Sequence, residues 1–250
     1  IMKTSLLGAI VALTFSTASF AQSPNNSPQG WMWGVGVAAS QDVYTDFDNR
    51  IVPIPIIGYV GERLRVYGPF VGYQLLQDDG FTLDAQLVPI FAGYEEDDSA
   101  VFNGMEDRDF SFGAGLSLRY AKNGWTYELA SNADILGTFN GYQATASIGK
   151  AFRTGPFVIE PSVGVTFQDN HYVDYYYGVT AAEATTTRAA YKGDSAVNTE
   201  LALAVSTPIF WGGMTRFQIG ATFYDDSISD SPLTDSDSAF NAMLMFSRFF

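Results

Sequence analysis

The side chains that could carry out chemistry are few, and they centre on one histidine. His171 is the only histidine in the chain, and it lies between Asp169 and Asp174. The chain has no cysteine and no Gly-x-Ser-x-Gly motif, so it offers neither a thiol nucleophile nor a nucleophile elbow. A serine–histidine triad or a multi-histidine metal site would depend on His171 alone. We predict that the chain is not an enzyme and needs no cofactor, and a hydrolase built on His171 is the distant alternative.

Short runs of acidic residues are the other candidate sites. Clustered carboxylates are hard oxygen ligands for divalent cations, and their negative field attracts cations in general. The runs lack the spacing of an EF-hand loop, and solvated loops are the simpler interpretation. They comprise residues 95–98, 106–107 and 225–226, and Asp235 with Asp237.

The composition excludes several classes of protein. The 250 residues are 47% apolar and 15% aromatic but only 16% charged, and the formal net charge is −14. A chain without a basic field is not expected to bind nucleic acid. The lack of cysteine excludes a disulfide framework and a thiolate zinc site. The low charge and the many aromatic side chains also argue against a disordered chain.

The N-terminus has the features of an export signal. Lys3 gives a short positive region, residues 6–15 are apolar, and Ala21 ends a small-x-small pattern typical of a signal peptidase site. No later stretch has the roughly 18 consecutive apolar residues that a transmembrane helix needs. We predict a cleaved signal over residues 1–21, a flexible lead over residues 22–29 and one domain over residues 30–250.

The elements that must position any site are β-strands with one apolar face. From Phe110 to Tyr120 the apolar side chains occupy alternate positions, which is the period of a strand. Strands of about ten residues exceed the five or six that are typical of soluble sheets, and they match the length that crosses a bilayer at a tilt. The same alternation recurs in residues 31–37, 157–167, 197–209 and 217–223.

The opposite face of these strands indicates a crowded interior. It carries small residues and single charges such as Arg119, Glu160, Glu200 and Arg216, whereas the wet face of a β-sandwich carries many charges. Aromatic residues lie near strand ends, as in the interfacial girdles of membrane barrels. They are Trp31, Trp33, Tyr59, Tyr73, Tyr94, Tyr120, Trp125, Tyr127, Tyr142, Trp211 and Tyr224. We predict an all-β transmembrane antiparallel up-and-down β-barrel in the outer membrane, in contact with lipid and lipopolysaccharide; a β-sandwich is the alternative.

The connections between strands predict orientation and strand number. Short turns belong on the periplasmic side of such barrels, and long loops belong outside. An uninterrupted strand over residues 64–77 would give an odd number of strands, and a turn at Gly68-Pro69 restores an even number. We predict about 12 strands, with 10 as the alternative. The short turns are residues 78–80, 122–124, 154–155 and 211–213, and the long acidic loops are residues 95–108, 169–194 and 225–238.

The last strand ends on an aromatic residue. Phe240, Leu244, Phe246 and Phe250 share one face of this strand. A terminal Phe on an alternating strand resembles the assembly signal of outer-membrane barrels. Arg248 departs from that pattern, and its long side chain can reach the membrane interface. We therefore assign Phe246 and Phe250 to a C-terminal assembly signal.

Several short motifs resemble the MipA/OmpV family of outer-membrane proteins. The central one is a Tyr-Tyr-Gly-Val segment followed by Glu-Ala and then a Tyr, and a late Asp-Ser-Pro loop follows in the expected order. Earlier in the chain, a Val-Pro-x-Pro strand over residues 52–55, Asp107-Arg108 and a Gly-x-Gly-Leu segment over residues 113–116 also fit. The signature residues are Tyr175, Tyr176, Tyr177, Gly178, Val179, Glu183, Ala184, Tyr191, Asp230, Ser231 and Pro232.

This resemblance implies a barrel without catalytic residues. The family includes a scaffold that binds a lytic transglycosylase and a penicillin-binding protein, which implies a scaffold role in murein synthesis and remodelling. A small cation-selective or solute channel is the alternative. We also hypothesise that Tyr175–Tyr177 and Tyr191 pack the long loop over the barrel mouth, with Glu183 accepting hydrogen bonds from the loop backbone.

Overall fold

The computed structural model describes residues 28–47 and 49–250. The predicted signal over residues 1–21 and most of the lead over residues 22–29 lie outside the described residues. The strands are β1 (Gly30–Ser40), β2 (Arg50–Val60), β3 (Leu64–Tyr67), β4 (Phe70–Asp78), β5 (Phe81–Ile90), β6 (Ser111–Lys122), β7 (Trp125–Asp134), β8 (Tyr142–Lys150), β9 (Phe152–Thr154), β10 (Phe157–Gln168), β11 (Ala196–Thr207), β12 (Met214–Phe223) and β13 (Ser238–Phe249).

These strands form one antiparallel sheet that closes on itself. β13 pairs with β1, and β10 pairs with β11 on one side and with both β8 and β9 on the other. β8 and β9 are therefore one wall strand interrupted at Ala151, and the predicted barrel of 12 strands is confirmed. The predicted split at Gly68-Pro69 is also present, since β3 ends at Tyr67 and β4 begins at Phe70.

The outer wall of the barrel is an apolar belt. On β6, Leu116 and Leu118 are exposed while Ser117 between them is buried on the inner side. Apolar side chains of this size are poorly tolerated in water when they form a continuous surface, and lipid removes that cost. Trp31 and Tyr59 contribute to an aromatic girdle near the periplasmic end, with ring centroids 5.4 Å apart. The alternation seen in the sequence thus becomes a lipid-facing wall.

Tight turns lie at one end of the barrel and long connections at the other. Asp79 and Gly80 have φ of 33° and 89°, and Asn123 and Gly124 have φ of 53° and 79°. Positive φ at both central residues defines the type I′ turn, whose twist matches that of antiparallel strands. These hairpins place the short connections on the periplasmic side.

The long connections contain helical segments that the strand pattern did not predict. They are α1 (Asn170–Tyr177), α2 (Asp226–Ser229) and a 3₁₀ turn (Ala100–Phe102). Asp169 caps α1 by accepting a hydrogen bond from the Tyr172 backbone N–H, and Asp225 caps α2 through the Ser227 N–H. In the described part of the chain, no helix has the length and apolar character required to cross a membrane.

Candidate functional site

The long extracellular connections fold together over the barrel and share a hydrophobic core. We call this assembly the mouth plug; it comprises residues 41–47, 91–109, 135–141, 169–195 and 224–237. Because the contributing loops come from around the rim, their shared core covers the mouth of the barrel. The core consists of plug side chains together with Ile90 and Ala196 at the adjoining strand ends: Val43, Tyr44, Ile90, Tyr94, Phe102, Met105, Phe139, Tyr172, Val173, Tyr176, Tyr177, Val179, Ala196, Ile228 and Leu233.

Helix α1 lies at the centre of the mouth plug. Its residue Tyr176 is 0% exposed, and its ring packs against Phe139 and Tyr172 at centroid distances of 5.8 and 4.8 Å. The Tyr176 hydroxyl donates a hydrogen bond to the Asp109 carbonyl at 3.1 Å. The Tyr44 hydroxyl donates to the Tyr176 carbonyl, also at 3.1 Å. One signature tyrosine thus joins three other connections through packing and backbone contacts.

A buried ion pair joins two more parts of the plug. Arg108 Nη2 lies 2.9 Å from Glu183 Oε1, and both side chains are less than a tenth exposed. Glu183 also accepts hydrogen bonds from the Thr180 backbone and hydroxyl and from the Glu106 backbone. Burial alone would raise the pKa of Glu183, but these hydrogen bonds and the Arg108 guanidinium lower it to about 2. The carboxylate is therefore charged throughout the physiological range.

Arg188 is a second buried cation, and sequence reasoning missed it. Its side chain is only 5% exposed. The guanidinium donates hydrogen bonds to the carbonyls of Val101, Asn103 and Glu183. Five donors in a fixed fork suit an array of carbonyls that a turn leaves without partners. A lone arginine in a polar loop carries no sequence signal for such a role.

The remaining signature residues join the plug through backbone contacts. Val179 and Tyr191 exchange two backbone hydrogen bonds at 2.8 and 2.9 Å, and the Ser231 hydroxyl donates to the Tyr177 carbonyl at 2.6 Å. A Cβ on Gly178 would collide with the Asp174 carbonyl oxygen, so only glycine fits there. Asp230 ends α2, Ala184 and Tyr175 pack against the core, and Pro232 lies between the buried Ser231 and Leu233.

Two aromatic residues predicted to lie in the girdle belong to the plug instead. Tyr94 is buried and stacks on Phe102 with ring centroids 3.8 Å apart. Tyr224 packs against the plug core. The prediction was wrong for both because distance from a strand end does not tell whether a side chain turns to lipid or back over the barrel.

The lumen below the plug is polar and contains ion pairs. Arg216 lies 2.8 Å from Glu160, and Arg65 lies 2.9 Å from Asp84. The Thr166 hydroxyl donates to Glu200 at 2.6 Å. A cavity of about 270 Å³ remains between these walls. The four charged residues predicted for the inner face, including Arg119, all line this cavity.

With this geometry in place, comparison with known sequences identifies the family. Residues 33–250 match the sequence model of the family described as MltA-interacting protein MipA. The chain belongs to this family. The resemblance drawn from the short motifs is confirmed.

Several relatives of this chain are named as outer-membrane proteins. The putative outer membrane protein YiaT of Escherichia coli K12 is 25% identical over 210 residues, covering 83% of this chain and 85% of the relative. The MltA-interacting protein of the same strain is 25% identical over 209 residues, covering 81% and 83%. OmpV of Vibrio cholerae is 26% identical over 212 residues, covering 82% and 81%.

The NanC porin structure aligns with a TM-score of 0.46 and 10% identity, covering 87% of this chain and all of that one.

The predicted outer-membrane location therefore stands for this member of the MipA family.

His171 lies on α1 with its side chain 59% exposed and its Nδ1 3.2 Å from Asp169. Among residues 28–47 and 49–250, no three His, Asp or Glu side chains cluster closely enough to hold a metal ion.

Several acids of the runs bind neighbouring backbone instead of projecting freely into solvent. Asp98 accepts from the Glu95 N–H, Asp107 from the Glu96 N–H, and Asp225 from the Val197 N–H. These hydrogen bonds account for part of the acidic loop composition in this family member, because a carboxylate next to a turn satisfies backbone donors that the turn leaves open.

The two residues assigned to the C-terminal assembly signal lie at the periplasmic end. Phe246 packs edge-on against Trp33 and Trp211, with centroid distances of 5.7 and 5.6 Å. Phe250 is exposed, and its backbone N–H donates to the Trp31 carbonyl. Arg248 donates to the Trp211 carbonyl at 3.1 Å, so its side chain reaches the rim.

A carboxyl group next to the plug core should make plug stability depend on pH. Burial raises the pKa of Asp42 to about 6, although the Val43 N–H and Arg50 oppose this rise; Asp98 and the plug tyrosines surround the group. Ionised Asp42 therefore destabilises the plug at pH 7.5, and this cost disappears as pH falls from about 6 towards 3.8.

We expect Asp42→Asn to stabilise the plug at pH 7.5 by at most about 3 kcal/mol, by about half as much at pH 5, and to have little effect near pH 3.8. Asn keeps the acceptor for Val43. Hydrogen exchange in residues 169–195, corrected for the intrinsic pH dependence, measures the effect. Asp46→Asn is the control, because Asp46 is exposed on the same connection. Equal pH responses in Asp42→Asn and the unmodified protein would contradict the assignment.

Proposed function

We propose that this protein is a closed, non-catalytic scaffold barrel of the outer membrane that binds murein-remodelling enzymes on its periplasmic side. The mouth plug is the observation that carries the proposal. An open channel needs a continuous water path, whereas here a buried aromatic core and a buried ion pair lie across the mouth. Keeping the mouth closed suits a protein whose task is binding and not permeation.

The signature residues have a structural role in this proposal. They hold the loops to one another through Tyr176, Glu183 and Ser231 instead of forming a pocket for a substrate. A rigid plug would fix the loop ends and so the barrel shape, leaving the opposite rim free for a partner.

The periplasmic turn over residues 208–213 is the best candidate for partner binding. Ile209, Phe210 and Trp211 are all exposed there, and Trp211 is 81% exposed. Trp211 also has a φ of 47°, a left-handed conformation that is unfavourable for a bulky side chain. A strained aromatic residue at an exposed tip is typical of a binding site.

The partners follow from the names of relatives and from the resemblance noted above. One relative is named MltA-interacting protein, so a lytic transglycosylase is the first partner to test, and a bifunctional penicillin-binding protein is the second. Lipid contacts the apolar belt, and lipopolysaccharide is the lipid that faces the acidic loops in the outer leaflet.

Binding of a purified lytic transglycosylase to the refolded protein tests this proposal. We expect saturable binding that Trp211→Asn weakens about tenfold, because exposed tryptophans often carry much of an interface energy. Asn tolerates the left-handed backbone, so the turn keeps its shape. Trp125→Asn at the turn between β6 and β7 is the matched control and should bind normally. Absence of binding, or equal loss in both variants, would contradict the proposed surface.

A small channel remains the second candidate, because charged side chains such as Arg119 and Glu160 line the cavity of about 270 Å³ inside the barrel. Single-channel recording in a planar bilayer separates the two functions. We expect a refolded barrel, verified by heat modifiability, to be electrically silent. Steady cation-selective conductance would favour the channel over the scaffold.

A further inference from the structure

The barrel wall is interrupted above the hairpin formed by β3 and β4. β2 pairs with β3 only through Gly58–Val60, and the pairing of β4 with β5 begins at Val71 and Leu87. Beyond these pairs, β2 continues to Arg50 paired with β1 alone, and β5 continues to Ile90 paired with β6 alone. In the described residues, no ladder joins β2 to β5 across this gap.

The edges of this gap lack backbone donors at several positions. The Ile57 carbonyl accepts from the Gly68 N–H, so odd-numbered residues of β2 direct their backbone groups towards the gap. Pro53 and Pro55 occupy these positions, and proline has no N–H to leave without a partner. On β5 the Gly80 carbonyl faces β6, so Pro89 also directs its backbone towards the gap. Prolines on both edges are typical of strands that must remain unpaired.

The gap is apolar on the inside as well as on the outside. Outward-facing Ile51 and Ile57 are exposed, as the lipid-facing wall requires. The inward-facing residues of the same strand, Val52, Ile54 and Ile56, are also apolar, whereas the rest of the lumen carries polar and charged groups. A strand that is apolar on both faces suits a place where an apolar molecule passes between the membrane and the lumen.

One cavity connects this gap to the charged lumen. Ile54, Phe70 and Phe91 line it at the gap, and Arg119 lines it deeper in the barrel. Arg119 Nη2 is buried without a hydrogen-bond partner. Arg119 pairs with Thr82 on β5, five residues below Leu87, which is about 16 Å along the strand. The other lumen arginines, Arg65 and Arg216, already pair with carboxylates.

We propose that this gap is a lateral opening to the membrane and that the cavity binds a single-chain amphiphile of the fatty-acid type. The carboxylate binds the free Arg119 Nη2 by a charge-assisted hydrogen bond. The acyl chain follows the apolar face of β2 and leaves between Ile54 and Phe91. A single arginine suits a carboxylate with one negative charge better than a phosphate, because the acids Glu128 and Glu160 also line the cavity.

A fluorescent fatty acid tests the polar end of this site. The probe is 11-(dansylamino)undecanoic acid, titrated into the refolded protein in a non-ionic detergent. We expect saturable binding that palmitate displaces and methyl palmitate does not. Arg119→Gln combined with Glu128→Gln should weaken binding about tenfold, and the double change avoids leaving Glu128 without its cross-strand arginine. Lys122→Gln combined with Asp79→Asn removes an exposed ion pair at a tight turn, which is the same change in charge, and should bind normally.

Blocking the gap tests the lateral opening itself. Ile54→Trp fills the space between β2 and β5, and we expect it to abolish probe binding. Ile219→Trp makes the same change on the lipid-facing side of β12 and should have no effect. Heat modifiability confirms that each variant has folded. Binding that does not saturate, that methyl palmitate displaces equally, or that survives both Ile54→Trp and the Arg119 double variant would overturn the proposal.

Discussion

Glu183→Ala should release the long loop of the mouth plug and expose Arg188 to trypsin. The substitution removes the acceptor for Arg108, for Thr180 and for the Glu106 backbone. Breaking a buried ion pair by deleting one partner typically costs about 3–5 kcal/mol, because the other charge remains buried. That loss corresponds to at least about a hundredfold more open plug. The rate of cleavage after Arg188, followed by mass spectrometry of the fragments, measures it.

Glu106→Ala is the matched control for this experiment. It removes the same type of side chain from a neighbouring position. The Glu106 side chain is exposed, and only the Glu106 backbone binds Glu183 and Arg108. We expect cleavage close to that of the unmodified protein. Glu183→Gln keeps an acceptor oxygen and should be intermediate. If Glu183→Ala and Glu106→Ala were cleaved equally slowly, the ion pair would not hold the plug.

The sign of the pH dependence follows from the same carboxylate. The pKa of Glu183 is about 2 in the plug, against an ordinary value of 4.5, so it stabilises the plug at neutral pH. This stabilisation is lost as pH falls from about 4.5 through 2. Asp42 acts in the opposite direction, since its cost is lost as pH falls from about 6 to 3.8, so the plug should be most stable at about pH 4, where the two transitions overlap.

Tyr176→Ala should destabilise the plug by a similar amount while leaving the barrel wall intact. The side chain is fully buried among Phe139, Tyr172 and Tyr175, and truncating a large buried aromatic residue costs about 3–5 kcal/mol. The strands should keep their pairing because the ring and hydrogen-bond partners of Tyr176 lie in the plug connections. Hydrogen exchange over α1, together with heat modifiability of the whole barrel, separates the two effects.

Two further substitutions define the cause of that loss. Tyr176→Phe removes only the hydrogen bond to Asp109 and should cost about 1 kcal/mol. Tyr142→Ala removes a tyrosine that faces lipid and should leave α1 exchange unchanged. Faster exchange in Tyr142→Ala than in Tyr176→Ala would show that the plug depends on the wall rather than on its own core.

The variants Glu183→Ala and Tyr176→Ala also test the proposed function. If the plug is what keeps the barrel closed, Glu183→Ala and Tyr176→Ala should conduct in a planar bilayer where the unmodified protein does not. Neither residue lines the luminal cavity, so conductance in these variants would come from opening of the plug and not from a change in the lumen.

The wall of this protein could be predicted from the sequence because its signals are local. Alternation of side chains with period two determines which residues face lipid, and tight turns such as Asn123-Gly124 mark where each strand reverses. The turn at Gly68-Pro69 followed from the same reasoning, since proline cannot take part in a ladder. Strand number, orientation and the polar lumen therefore depend on neighbours only a few residues apart.

The sequence suggested that the long loop packs over the mouth, but only the tertiary structure decided which residues meet in the plug and at the gap. Arg108 and Glu183 lie 75 positions apart, and no local pattern indicates that they meet or that Arg188 binds three carbonyls. Tyr94 and Tyr224 could face lipid or the plug equally well by sequence, and only the path of their loops determines which. The edge of β2 is likewise unpaired because β3 turns back into β4 before the hairpin reaches the extracellular ends of β2 and β5. Local chemistry thus determined the wall, while the plug and the lateral gap depend on contacts that exist only after the sheet has closed.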